Sequence, residues 1–354
     1  MAGLVAVLLA LPPVIGALPA SDAGTPAADL RRAVLASADV PFAGYAQSAG
    51  GLDLPVGDQL TSAADLFSDR TTMRAWYRGP ADWRVDVVAP TGETGVHADP
   101  GGTWTWTWER AVAVRTAPSP LALPTAPDLL PSALGRRLLS EATDAELSRV
   151  GADRVAGRDA LGVRVRPADA ASSVARVDVW VDEASGVPLR VQVFGDADGQ
   201  PALDTSFLEF EPTTPPAEVT AFDPPAEAEL REGQDPQLLQ SAVRAAEDGR
   251  RVRLPAALAG LDRRTIEGAP RSVGLYGRGV TLLAVSPLPG RAADGLRDAL
   301  VRAPGAVVDD LGVRISAGPL GLMLVDGEDG PVLLTGTVDL DALAAAATEL
   351  VPAW

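Results

Sequence analysis

Hydrophobic and polar residues alternate with a period of two through the middle of the chain. The alternation runs over 71–78 and again over 83–87, and the turn sequence Gly-Pro-Ala-Asp lies between the two runs. Because successive side chains of a strand point to opposite faces, this pattern predicts an antiparallel hairpin. The sequence TWTWTW at 103–108 predicts another strand, with three Trp on one face and three Thr on the other.

Helical patterns interrupt these strands at three places. The spacing of apolar residues predicts helices over Pro26 to Ala38, Leu129 to Leu139 and Asp144 to Val150. Alternation returns at 162–166, and again at 176–193 around a second turn. Many consecutive alternating strands with a few inserted helices predict an antiparallel sheet packed on helices, rather than a parallel βαβ fold.

A Pro-rich, acidic stretch at 211–236 separates this first domain, residues 26–210, from a second domain at 237–354. We interpret 211–236 as a linker in which Phe222 forms a last short strand against the first domain. In the second domain, strand patterns at 272–285 and 312–336 accompany helical patterns at 291–302 and 339–351. The second domain is therefore predicted to be a small α+β domain.

The first twenty residues carry no charge and are almost entirely apolar. They are typical of a signal peptide or an N-terminal anchor, and Pro12 and Pro13 disfavour a continuous spanning helix. We therefore expect an exported, extracytoplasmic protein that is soluble or tethered by this segment. The alternative is an intracellular hydrophobic N-terminal helix.

Composition excludes several kinds of chemistry. A formal net charge of −17 disfavours a nucleic-acid partner, because it repels phosphate backbones. The absence of Cys excludes disulfides, thiolate nucleophiles and cysteine zinc sites. The single His, His97, is interpreted as an exposed loop residue, and no Gly-x-Ser-x-Gly elbow is present. The sequence thus predicts no catalytic residue, no cofactor and no enzyme activity.

Two acidic turns, at 196–199 and 326–330, are candidates for calcium sites. Neither has the twelve-residue calcium-loop spacing with its terminal Glu. Asp and Gly between strands serve turn geometry, so the turn interpretation is preferred and no metal site is predicted.

The Trp-rich strand is the feature that most favours ligand binding. If its Trp face joins the apolar residues of neighbouring strands, the result is a wide aromatic surface. That surface is either an ordinary packed core or the wall of a cavity for an acyl chain. The residues of the hypothetical wall are Trp83, Val85, Val87, Trp104, Trp106, Trp108, Val179, Val191, Leu208 and Phe210. Four arginines are candidates for contact with an anionic head group or a carboxylate-rich partner: Arg74, Arg78, Arg84 and Arg190.

Several of these stretches resemble the LolA/RseB superfamily, and the resemblance is closest to actinobacterial RseB-like (MucB-like) proteins. They are WYRGPADWRVDV at 76–87, VDVWVDEASGVPLRVQV at 177–193, and FLEF at 207–210 followed by FDPP at 222–225. The resemblance covers residues 26–230. The stretch SVGLYGRGVTLLAV at 272–285 resembles the C-terminal domain of RseB.

The resemblance implies an antiparallel β half-barrel, covered by helices and able to hold lipid, followed by a small α+β domain. LolA-like members carry lipids or lipoproteins between membranes. RseB-like members instead sense lipid or envelope stress and bind the extracytoplasmic part of an anti-sigma factor. The two-domain layout favours the regulatory branch, with a lipid or lipoprotein carrier as the alternative. An envelope hydrolase is disfavoured because the usual nucleophile–base arrangements are missing.

Overall fold

The computed structural model describes residues 20–51, 70–89, 92–119, 124–195, 199–233, 254–327 and 330–350. Four sequence predictions lie wholly or partly outside these residues: the segment at 1–20, the domain boundary at 237 and the two acidic turns. Within the described ranges, no helix has the length and apolar character needed to cross a membrane.

Twelve strands form one large sheet. They are β1 (Phe42–Gly50), β2 (Arg70–Gly79), β3 (Asp82–Ala89), β4 (Gly92–Asp99), β5 (Gly102–Thr107), β6 (Val112–Thr116), β7 (Leu147–Val155), β8 (Arg158–Val165), β9 (Arg176–Asp182), β10 (Pro188–Phe194), β11 (Leu203–Glu211) and β12 (Glu229–Glu232). Their order is β12-β6-β5-β4-β3-β2-β1-β11-β10-β9-β8-β7. All neighbours are antiparallel except β12, which runs parallel to β6 at the edge. The predicted antiparallel sheet and the 71–87 hairpin are confirmed.

One face of this sheet, here the inner face, is apolar across its width. Phe42 opposes Tyr77 and Val163 opposes Val179, and all four side chains are buried. Helices α1 (Ala27–Ala36) and α2 (Pro131–Ser140) pack on this face or on each other. Proline is accepted at the start of α2 because the N–H that it lacks would have no partner inside the helix.

A β-bulge in β11 decides which of its residues face inward. Tyr45 of β1 pairs with Glu209 whereas Ala46 pairs with Phe207, so Leu208 is left as the extra residue. The bulge lets Phe207 and Phe210 both point to the inner face, where each is almost fully buried. Without the bulge, regular alternation would place Phe207 and Phe210 on opposite faces, because they are three residues apart.

The opposite, outer face of the sheet carries cross-strand ion pairs. Arg164 binds the nearly buried carboxylate of Asp178 at 2.5 Å, and Arg190 binds Asp204 at 2.6 Å. Opposite charges on adjacent strands stabilise the pairing modestly.

Residues 212–228, here the crossover segment, run from β11 near the middle of the sheet to β12 at its edge. The short helix α3 (Ala217–Thr220) lies in this segment, and the Thr220 hydroxyl donates a 2.5 Å hydrogen bond to Asp82. The segment therefore crosses the outer face over β3 and β4. The prediction of a strand at Phe222 is wrong, because Phe222 instead packs on the outer face and the last strand is β12.

The C-terminal part forms a second, six-stranded antiparallel sheet between two helices. Its elements are the small pair β13 (Ala257–Leu258) and β14 (Leu261–Asp262), then β15 (Gly274–Arg278), β16 (Thr281–Pro287), α4 (Gly290–Arg302), β17 (Val307–Asp309), β18 (Gly312–Ala317), β19 (Leu320–Gly327), β20 (Gly330–Gly336) and α5 (Leu340–Leu350). The sheet order is β15-β16-β20-β19-β18-β17. Helix α5 packs with Met323 and Leu334, and α4 packs on the other face with Leu324 and Leu333.

One predicted helix is wrong. Residues 144–146 form a single 3₁₀ turn, and β7 begins at Leu147. The local pattern has apolar residues three apart, which suits a helix, but hydrogen bonding to β8 overrides this weak local preference.

Candidate ligand-binding site

Helix α2 lies over the inner face, and a cavity opens on each of its flanks. The helical period places Leu134 and Leu138 on one flank, and Ala133 and Arg136 on the other. Gly135 faces the sheet, where a β-carbon would lie 2.7 Å from Pro188. The absence of a side chain there lets α2 lie close to β10.

The first cavity, here the junction cavity, lies between the two sheets and has a volume of about 230 Å³. Its lining is mostly apolar and comes from both parts of the chain: Leu134, Leu138, Val174, Val177, Val193 and Leu203 from the first, and Val280, Leu282, Pro319 and Leu320 from the second. An apolar cavity with few polar groups is typical of a site for an apolar small molecule.

Ion pairs hold the two parts together beside this cavity. Glu141, which follows α2, accepts two hydrogen bonds from Arg264, at 2.9 and 2.6 Å, and one from the Gly279 amide at 2.6 Å. Glu146 accepts two more from Arg278, at 3.1 and 3.0 Å. All four contacts to arginine are charge-assisted and bidentate, so they fix orientation as well as distance.

Glu146 is the more strongly perturbed acid. Burial alone would raise its pKa, but the hydrogen bonds from Arg278, from the backbones of Thr143 and Ala168 and from the Thr143 hydroxyl outweigh burial and lower the pKa to about 2. The Arg264 hydrogen bond likewise lowers the pKa of Glu141. Both groups are therefore carboxylates at neutral pH.

Backbone hydrogen bonds also cross the junction. The Ser173 amide donates to Thr337 at 3.2 Å, and the Asp339 amide donates to Ala171 at 3.0 Å. The loop between β8 and β9 is thus paired with the residues that connect β20 to α5. Ion pairs and backbone hydrogen bonds therefore join the two parts of the chain around an apolar cavity.

The second cavity, here the α2–β3 cavity, has a volume of about 300 Å³ and lies on the other flank of α2. Tyr77, Trp83, Val85, Leu130 and Arg136 are among its lining residues. The Arg136 guanidinium lies over the Tyr77 ring, 5.6 Å from its centroid. This cavity combines an aromatic wall with two arginines, Arg136 and Arg84, of which Arg84 is paired with Asp86.

The predicted aromatic surface is divided between the two faces of the sheet. Trp83, Val85 and Val87 point to the inner face, and Trp83 and Val85 line the α2–β3 cavity. Trp104 pairs with His97, which pairs with Arg84, so Trp104 lies on the outer face.

Trp106 is also on the outer face, and it is buried. Trp108 lies in a 3₁₀ turn after β5 and is 54% exposed. The expectation of a single surface formed by all these residues is therefore wrong. A period of two shows that alternate residues of one strand share a face. It does not show which residues of the neighbouring strand lie on that same face, because this depends on the register between the strands.

The other predicted wall residues are also divided. Val179 and Val191 are fully buried in the inner-face core, and Phe210 packs with Phe42 at 5.4 Å between ring centroids. Leu208 is the bulge residue and is 49% exposed, so it is not part of an inner wall.

Each of the four candidate partner-contact arginines already binds a carboxylate. Arg74 pairs with Glu93, Arg78 with Asp82, Arg84 with Asp86 and Arg190 with Asp204, all between 2.6 and 2.8 Å. A partner carboxylate would have to compete with these internal pairs.

His97 is not an exposed loop residue. It lies in β4 and is 5% exposed, beneath Phe222 of the crossover segment at 4.6 Å between ring centroids. Its Nδ1 is 3.1 Å from the Thr220 carbonyl oxygen. Trp104 and Trp106 complete this outer aromatic cluster, at 5.9 and 6.2 Å from Phe222. A residue far along the chain buries His97, so local sequence did not reveal it.

The sequence did not predict the junction cavity, whereas two of the predicted wall residues, Trp83 and Val85, do line the α2–β3 cavity. The lining residues of the junction cavity come from stretches that are far apart in the chain, so no local motif marks it. The position of Arg136 could have been predicted, because the helical period places it on the same flank of α2 as the small residue Ala133, toward the sheet.

Comparisons with known proteins agree with this architecture. Residues 115–225 match the family model described as the MucB/RseB N-terminal domain. A chain of the Pseudomonas aeruginosa MucA/MucB complex is similar over 91% of this chain and 96% of its own length, with 19% sequence identity and a TM-score of 0.50. This second likeness shows a shared fold that extends through the second sheet.

More distant structures match the chain over just over half its length. An uncharacterised conserved protein from Thermus thermophilus is 14% identical, covers 58% of this chain and 99% of its own, and has a TM-score of 0.36. A LolA superfamily protein from Nitrosomonas europaea is 10% identical, covers 56% and 99%, and has a TM-score of 0.26. No curated protein sequence gives a significant match.

Proposed function

We propose that this chain, which belongs to the RseB/MucB-like group of the LolA superfamily, is a non-enzymatic extracytoplasmic regulatory protein. In this proposal it binds the extracytoplasmic segment of a membrane-bound anti-sigma factor and responds to an apolar, lipid-like ligand. The large sheet would act as the half-barrel of the superfamily, with α1 and α2 as its cover.

The observation that carries the proposal is the shared two-sheet layout. The similarity to the Pseudomonas aeruginosa MucA/MucB complex structure spans nearly all of both chains, and therefore includes the second sheet. That structure contains a complex of two proteins. By analogy, we expect the present chain to bind a protein partner as well.

The junction cavity is our candidate for the ligand site. Its lining joins Val193 of the large sheet to Val280 of the small one, so an acyl chain bound there would contact both. The ion pairs of Glu141 and Glu146 cross the same junction. A ligand that separates the two sheets would strain those pairs, which gives a physical route from ligand binding to a change in the relative position of the sheets.

The first experiment measures partner binding and its response to a nonionic acyl probe. The full chain is tested by biolayer interferometry against immobilised extracytoplasmic segments of the anti-sigma factors encoded in its own genome, with and without dodecyl maltoside below its micellar concentration. We expect one segment to bind at micromolar affinity or better, and the probe to weaken that binding at least tenfold.

A matched pair of variants tests the location of the ligand. Val193→Phe places a larger side chain in the junction cavity, whereas Val301→Phe adds the same atoms at a position that is 51% exposed. We expect only Val193→Phe to abolish the response to dodecyl maltoside. If no segment binds while the purified chain delivers bound lipid to acceptor vesicles, the regulatory proposal fails and a LolA-type carrier is indicated.

A further inference from the structure

Side-chain contacts hold the crossover segment on the outer face. In the part of the chain that the structure describes, the backbone-to-backbone hydrogen bonds of this segment lie within residues 211–228. The Arg78 guanidinium donates to the Pro215 carbonyl at 2.5 Å. The Thr220 hydroxyl donates to Asp82. A segment held in this way can leave the surface while the strands beneath it stay paired.

His97 lies beneath the segment and makes a third polar contact with it. The Thr220 carbonyl can only accept a hydrogen bond, so the Nδ1 atom of His97 carries a proton. In the neutral ring, Nε2 is then the unprotonated nitrogen, and acid adds a proton there. The Nε2 atom faces Gly95, where a β-carbon would lie 3.3 Å from it.

The surroundings of His97 disfavour that second proton. Burial lowers the pKa of the imidazole and the Arg84 guanidinium lowers it further, whereas the Asp86 carboxylate raises it. Arg84 already binds both oxygens of Asp86 at 2.7 Å, so this pair offers little net attraction. The uncharged rings of Trp104, opposite His97 on β5, and of Phe222 add no counter-charge.

The other acids around His97 are paired or exposed. Asp82 and Asp99 line a cavity of about 400 Å³ beside the ring, and an arginine binds each of them, at 2.8 and 2.6 Å. Glu218 and Asp223 flank the contact on the crossover segment and are exposed to solvent. An imidazolium at His97 would therefore be poorly compensated while the segment is in place.

We propose that acid releases the crossover segment: a proton taken up at Nε2 of His97 detaches residues 217–223 from the outer face while the large sheet stays folded. Release lets water reach the imidazolium and so removes the cost of burying it. It also uncovers Trp104 and Trp106 next to Trp108, which is already exposed, so the outer face becomes more apolar at acid pH. This device does not depend on the ligand or the partner proposed above.

The first test is the pKa of His97, measured by NMR on the full chain. The chain has one histidine, so the Cε1–H signal of isotope-labelled imidazole titrates without overlap. We expect a pKa below 6.5 in the parent. Phe222→Ala should raise it toward 6.5, because that variant lacks the ring that covers His97. Leu230→Ala, at an exposed position on β12, is the control and should titrate as the parent does.

Hydrogen exchange followed by mass spectrometry tests the release itself. Protection factors of amides 217–223, corrected for the intrinsic effect of pH, are measured at pH 7.5 and 5.0 in the parent and in His97→Gln. With an ordinary pKa of 6.5 for the released imidazole, protonation favours release by at most about thirtyfold at pH 5.0. We expect protection in the parent to fall by about three- to thirtyfold, and in His97→Gln by less than about twofold.

Several outcomes would overturn the proposal. A parent pKa of 6.5 or higher for His97, or no rise in Phe222→Ala, would show that the segment does not oppose protonation. Equal loss of protection in His97→Gln would assign the release to another group. Exchange of amides 217–223 in the parent at pH 5.0 that is no faster than exchange in β9 would show that they open only when the sheet unfolds. The parent titration and this last comparison need no variant, so they decide the question even if a variant folds poorly.

Discussion

Gly135 sets the distance between α2 and the large sheet. A β-carbon at this position would lie 2.7 Å from two carbon atoms of Pro188 and 3.4 Å from Val179. We predict that Gly135→Ala lowers the free energy of unfolding by about 1–3 kcal/mol, because a rigid proline ring must shift to admit the methyl group. Urea unfolding followed by circular dichroism measures the change.

Gly295 in α4 is the matched control. It also lies inside a helix, but a β-carbon there would meet nothing within 4 Å. Gly295→Ala should stabilise the protein by about 0.5–1 kcal/mol, since alanine is the better helix former. If Gly135→Ala stabilises the protein equally, α2 is not held against Pro188 as described.

His97 should make stability depend on pH near neutrality. Burial lowers its pKa below the ordinary value, and Arg84 lowers it further, against the opposing effects of the Thr220 carbonyl and Asp86. A folded-state pKa below the unfolded value means that stability is fully present above about pH 6.5 and declines as the pH falls toward the folded-state pKa.

His97 is the only histidine, so a variant can isolate its contribution. We predict that the free energy of unfolding of the parent is lower at pH 5.5 than at pH 7.5, and that this difference shrinks in His97→Gln. The measurement is urea unfolding of both proteins at the two pH values. An unchanged difference in the variant would show that His97 is not buried beneath Phe222.

At the scale of the element, the bulge in β11 decides which side chains stabilise the sheet. Phe207 is 1% exposed and packs edge-to-face on Phe42 at 5.5 Å, whereas Leu208 is 49% exposed. We predict that Phe207→Ala costs about 3–5 kcal/mol and that Leu208→Ala costs less than about 1 kcal/mol. Comparable losses at both positions in denaturant unfolding would contradict the bulge.

At the scale of the whole molecule, Glu146 joins the two sheets. The fall of its pKa from 4.5 to about 2 corresponds to stabilisation of up to about 3 kcal/mol, part of which comes from Thr143 and Ala168 rather than Arg278. This contribution is present above pH 4.5 and is lost as the pH falls from 4.5 toward 2. Glu146→Gln should therefore be less stable than the parent at pH 7 and approach it at acid pH.

Differential scanning calorimetry tests this prediction, because loosened sheets would melt in separate transitions rather than one. The control is Asp326→Asn, which removes the ion pair between Asp326 and Arg297. The Asp326 side chain is 70% exposed. Such a pair contributes little, so the control should change stability by less than about 1 kcal/mol. A Glu146→Gln variant that behaves like this control would mean that the junction does not depend on the ion pair.

The sequence by itself determined the strand content and the resemblance to a known family. Period-two alternation is a property of the single strand, so the 71–87 hairpin and the strands at 103–107 and 176–182 could be predicted locally. The resemblance to RseB/MucB-like proteins rested on such strand and turn motifs and is confirmed by the family match over 115–225. The two acidic turns and the N-terminal segment stay predictions.

Only the tertiary structure decided which face each strand presents and what covers it. Trp83 and Trp104 lie on opposite faces because the register of β3, β4 and β5 places them there. Leu208 is exposed because pairing with β1 leaves one residue over, and His97 is buried because Phe222, 125 positions later, packs on it. Register, bulges and cavities arise from contacts between residues far apart in the chain, and no local period encodes such contacts.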